Sequence, residues 1–178
     1  SEAQTVLRMF GACEAAVAAL RAFPREAVVW QRACGGMAVL ANRHAGCQEA
    51  LSAAGASAVV LEGLQVFASS RLVSQACCGA IAALALGHAE NEQRLGAMGA
   101  CGLVVDVMAR FCGKKAVQYH ACRAVTALAT AHAGNVEALR RAGACEAVKE
   151  ALRLGGPDWK LCLAAEDASR AVSYTHLT

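Results

Sequence analysis

The dipeptide Gly-Ala recurs at Gly11-Ala12, Gly55-Ala56, Gly99-Ala100 and Gly143-Ala144, each 44 residues after the last. Other columns keep the same spacing without gaps. Leu7, Leu51, Leu95 and Leu139 form one, and Leu20, Leu64, Met108 and Leu152 another. Cys34, Cys78 and Cys122 align, as do Phe23, Phe67 and Phe111, and His44, His88 and His132. A chain built from one unit copied end to end must stack its copies, because no single copy can bury its own apolar face. We read an array over residues 1–172, with units at about 2–45, 46–89, 90–133 and 134–172.

Each unit reads as three helices. Only 4% of the chain is aromatic and only two residues are proline, which suits close-packed helices and argues against sheet. The first helix is short, for example Asn91 to Met98, with Asn91 or Asn135 as its N-cap. It ends at the repeated glycine, which can turn the chain sharply. The second runs from about Ala12 to Phe23, with Ala16, Val17, Leu20 and Phe23 on one stripe. The third runs from about Val28 to Arg43, with Val29, Ala33, Met37, Leu40 and Ala41 inward. These spacings follow the helical period. His44, His88 and His132 fall at an equivalent helix end, where an imidazole can meet free carbonyls.

Composition excludes several classes. Seventeen basic against fourteen acidic residues leave +3, too little for a clustered phosphate-binding surface. The longest uncharged core stretch, with no polar side chain in it, is Ala76 to Gly87, well short of the roughly 20 residues of a membrane span. Ten cysteines recur at repeat positions as small buried hydrophobes, so a reducing, cytoplasmic setting is expected rather than a disulfide scaffold.

The segments QEALSAAGASAVVLEGLQVFASSRLVSQACCGAIAALAL and EQRLGAMGACGLVVDVMARFCGKKAVQYHACRAVTALA carry a short helix, a Gly-Ala bend, a second helix and a longer third helix. This resembles the armadillo repeat over about residues 2–172. The two-helix HEAT repeat is the nearest competitor, and the extra short helix favours armadillo. The resemblance implies an all-α right-handed superhelix, an α-solenoid whose third helices line a concave groove. It also implies, in peptide-binding members, a ladder of Trp and Asn on those helices. Here the Trp position holds Gly35, Gly79, Arg123 and Asp167, and the Asn position Val39, Ala83, Ala127 and Ala171. Both ladders are missing, so recognition of a basic localisation signal in the manner of transport receptors is not expected.

The groove is expected to use other side chains. Gln31, Gln75 and Tyr119 lie one turn before the Trp column, beside Arg32, His120 and Arg123. Asn42 and Thr130 follow further along, with Lys160 and Asp167 in the fourth unit. These can hydrogen-bond a partner's backbone or carboxylates, and Gly35 and Gly79 permit close approach. A solvated helix face is the plainer alternative. His44-x-x-Cys47 and His120-x-Cys122 lack the second pair a structural zinc needs. No nucleophile-base set, phosphate loop, paired carboxylates or cofactor motif stands out, so no enzyme is expected. Trp30 and Trp159 are either loop covers or exposed anchors.

Glu166 replaces the Cys column, Asp167 falls on the Trp column and Lys149 replaces a core column, so the last unit is polar as a terminal cap requires. Residues 173–178, SYTHLT, fit no helix and resemble translated library adapter; we read them as a non-native tail. The first residue is Ser, and further repeats are expected upstream. Val6, Met9 and Phe10 would then be exposed and adhesive. The function expected is non-enzymatic protein binding, as a scaffold or regulatory module with a protein or peptide partner. Nucleic acid, membrane and small-molecule substrates are not expected. The alternative is a structural spacer within a larger repeat protein.

Overall fold

The computed structural model describes residues 1–155 and 158–173, apart from the side chains of Trp159 and Cys162. The described residues are helical throughout, with turns between. Short helices are α1 (Glu2–Met9), α4 (Ala45–Ala54), α7 (Ala89–Ala97) and α10 (Ala133–Arg141). Each is followed by a second helix: α2 (Ala12–Ala22), α5 (Ala56–Val66), α8 (Ala100–Arg110) and α11 (Ala144–Gly155). The long helices are α3 (Ala27–Ala41), α6 (Arg71–Ala85), α9 (Lys115–Ala129) and α12 (Trp159–Ser173). Ser173, expected in the tail, is thus the last residue of α12. Residues 174–178 lie outside the described residues.

The bend between short and second helices comes from the repeated glycine. Gly99 has φ +86° and Gly143 φ +90°, in the left-handed region where a Cβ is penalised. The long helices stack side by side in chain order, α3 on α6, α6 on α9 and α9 on α12. The cysteine column lies inside this layer, with Cys34, Cys78 and Cys122 fully buried. Burial pushes the Cys78 and Cys122 thiols up to about 12, so they stay protonated and act as small apolar side chains. The described cysteines are all free thiols.

Two local expectations are corrected. Three of the four short helices, α4, α7 and α10, are capped by histidine, not asparagine. His44, His88 and His132 are N-caps, and each Nδ1 accepts the backbone N–H three residues on, at Cys47, Asn91 and Asn135. The imidazole therefore meets free N–H groups at a helix start, not free carbonyls at an end. The long helices stop by Ala41, Ala85 and Ala129, and the histidine sits beyond them. Asn91 and Asn135 are displaced inward. Both are buried, and their Nδ2 groups donate to the carbonyls of Leu84 and Leu128 at the ends of α6 and α9. Gln4 and Gln48 do the same work one position over, on the last carbonyls of α3 and α6. A polar side chain from each short helix thereby closes the C-terminus of a long one, which would otherwise carry unpaired carbonyls.

The inward stripe of α3 is also rotated. Trp30, Cys34, Met37, Leu40 and Ala41 are buried, while Val29 and Ala33 are only half-buried. Trp30 is 1% exposed and is a core residue as well as a loop cover. Its Nε1 donates to the Phe23 carbonyl at 3.1 Å, and its ring meets Phe67 at 5.5 Å between centroids. Trp159's side chain falls outside the described residues. Among the described residues no helix is long and apolar enough to cross a membrane.

Candidate functional site

Stacking three long helices leaves a cleft of about 610 Å³ across α3, α6 and α9. Five of the six residues expected at the groove line it: Gln31, Arg32, Gln75, His120 and Arg123. Asn42 joins them. Tyr119 lines the adjoining hollow with Arg43 and Asp167, and Arg123 borders both spaces. Lys160 and Asp167 lie on a smaller hollow with Tyr119 and Arg123. Thr130 is not brought in; it faces a separate depression near His132.

Small residues give the cleft its depth. A Cβ at Gly35 or Gly36 would meet nothing within 4 Å, so that wall is open. At Gly79 a Cβ would lie 3.2 Å from His120 Nδ1, so the glycine lets the imidazole of α9 lie against α6. Tyr119 meets the His120 ring edge-on at 5.1 Å, and the Arg123 guanidinium lies 5.7 Å over the Tyr119 ring. This is a cation–π contact that holds the guanidinium over the ring. Burial, aided by the nearby Arg123 charge, lowers the His120 pKa, so the ring is neutral at pH 7. Its buried Nδ1 has no hydrogen-bond partner among the described residues.

Apolar residues share the cleft and were missed as site residues. Val39 is 69% exposed and Leu72 is also exposed, both on its lining. Val39 occupies the Asn position of the armadillo resemblance, and its signal was there to read as an apolar replacement. His44 of the first His–Cys pair and Cys122 of the second are not open to a metal. Both His44 ring nitrogens have partners, Cys47 N–H at 3.1 Å and Thr5 Oγ1 at 3.0 Å, and Cys122 is buried away from solvent. Among the described residues no three His, Cys, Asp or Glu side chains gather as a metal cluster.

Comparison with solved structures decides the architecture. A designed armadillo repeat protein superposes with a TM-score of 0.82 at 24% identity, covering 96% of this chain and 68% of its own. This is an armadillo-like repeat fold. An engineered protein superposes on the armadillo-like chain with a TM-score of 0.85 at 25% identity, over 97% of this chain and 68% of the other. A second engineered protein gives 0.81 at 22% identity, over 96% and 66%. The armadillo-like chain thus spans about two thirds of the length of these neighbours. No family model matches the sequence, and no curated protein matches it closely.

Proposed function

We propose that the chain is a non-enzymatic scaffold or regulatory module that binds a protein or peptide along the concave face of its long helices. In this reading it is a right-handed superhelix of four repeats, about 2–45, 46–89, 90–133 and 134–172, followed by a non-native tail. It works in the cytoplasm, without nucleic acid, membrane or small-molecule substrate. Gln31, Arg32, Gln75, Tyr119, His120 and Arg123 touch the partner.

The observation that supports this is the convergence of side chains far apart in sequence on one cleft, with Gln31 on α3, Gln75 on α6 and Arg123 on α9. Solenoids commonly bind through such a surface, since every repeat contributes to it. The test is the double variant Arg123→Glu with Tyr119→Ala. Partner binding is expected to fall while circular dichroism and thermal unfolding stay close to wild type. Unchanged partners on an unchanged fold would remove the support for this face.

A further inference from the structure

Resting on that reading, we propose that the cleft takes an acidic, extended protein segment, with a partner carboxylate held between Arg32 and Arg123. Both guanidinium groups line the same space, and no Asp or Glu lines it with them. Neither takes part in a salt bridge or hydrogen bond among the described residues. The surface ion pairs lie elsewhere, at Arg141–Glu137, Lys149–Glu146, Arg153–Glu150 and Arg170–Asp167. Asp167, which lines the adjoining hollow with Arg123, already holds Arg170.

The geometry favours a carboxylate in particular. Arg123 lies over the Tyr119 ring, and its planar fork matches a carboxylate as a bidentate acceptor. Gln31, Gln75 and Asn42 supply amides that both donate and accept, the pairing a main chain needs. Val39 and Leu72 offer apolar contact between them. Helices pack about 8–10 Å apart. An extended chain advances about 3.3 Å per residue. A segment crossing α3, α6 and α9 therefore has about seven residues.

The test titrates the full chain with blocked, labelled heptapeptides of glutamate, glutamine and lysine, and with a short single-stranded oligonucleotide. Binding is read by fluorescence anisotropy and located by the amide resonances of α3, α6 and α9. Heptaglutamate is expected to bind tightest and to weaken as salt is added. Arg32→Gln and Arg123→Gln are each expected to weaken it about tenfold. Arg141→Gln, on α10, is expected to leave it unchanged. Glutamine or lysine peptides binding at the cleft as well as glutamate would overturn the acidic inference and leave the binding face standing. Tighter binding of the oligonucleotide there, or arginine variants with wild-type affinity, would overturn it too. No perturbation of the cleft by any probe would overturn both readings.

Discussion

Glu92 stands where Gln4 and Gln48 stand in the preceding triplets, and it lacks their amide. It is fully buried, its Oε2 accepts the Ala131 N–H at 2.8 Å, and its Oε1 has no partner among the described residues. Burial raises its pKa, partly offset by the Ala131 hydrogen bond and the nearby His132 and His88. The folded state therefore favours the protonated acid. Its contribution is whole below the ordinary carboxyl value of about 4.3 and is lost as pH rises through the raised value. Glu92→Gln restores the amide and should add about 1 kcal/mol at pH 7 while flattening that pH dependence. Urea midpoints measured from pH 4 to 8 check this. Cys78 and Cys122 give an alkaline counterpart, because their raised pKa makes the neutral thiol the folded form. Stability should fall as pH rises from about 9 toward 12. Of the described cysteines Cys112 is the exposed one, and a thiol reagent should reach it first. The sequence hid these buried polar groups: Asn91 and Glu92 look like a polar helix start, and the ends of two long helices, α6 at Leu84 and α9 near Ala131, make them interior.

Between elements, side-chain size is matched across each junction. A Cβ at Gly63 on α5 would come 2.5 Å from the Trp30 ring of α3. The repeat register places Val107 opposite Ser74 and Ala151 opposite Gln118, so the large tryptophan faces the smallest residue. Gly63→Ala should destabilise by about 1–3 kcal/mol, the range for overfilling a close-packed interior. Adding Trp30→Ser should remove that clash, a coupling read from a double-mutant cycle. Trp30 and Gln118 share a column and both donate to the carbonyl closing the second helix, Phe23 and Phe111. Two unlike side chains meet one backbone need. Helix number, order and bend were legible because a 44-residue spacing repeats each of them. The inward face of α3 was not, since its buried Trp30 has no apolar counterpart at Ser74 or Gln118 to align with.

Over the whole molecule, one leucine column that is covered inside the array is bare at its start. Leu51, Leu95 and Leu139 are fully buried, whereas Leu7 is 48% exposed; Phe10, 86% exposed, stands in a column that is exposed at Met98 as well. No residue of α1 is buried. A patch with Val6 and Met9 beside them should make the isolated chain associate as concentration rises, and Phe10→Ser with Met9→Ser should reduce it in sedimentation experiments. The lining of the cleft was legible in part: five of the residues read from the sequence converge on it because equivalent positions on stacked helices share a face. Tyr119 turned to the neighbouring hollow because its ring is held by Arg123 and His120, a contact that spacing cannot show. The central claim is that each helical triplet leans on the next in line. Native-state amide exchange on the Gly63→Ala chain tests it most directly. The account predicts that α1, α2 and α3 lose protection while α10, α11 and α12 keep wild-type values; an equal loss at both ends would contradict it.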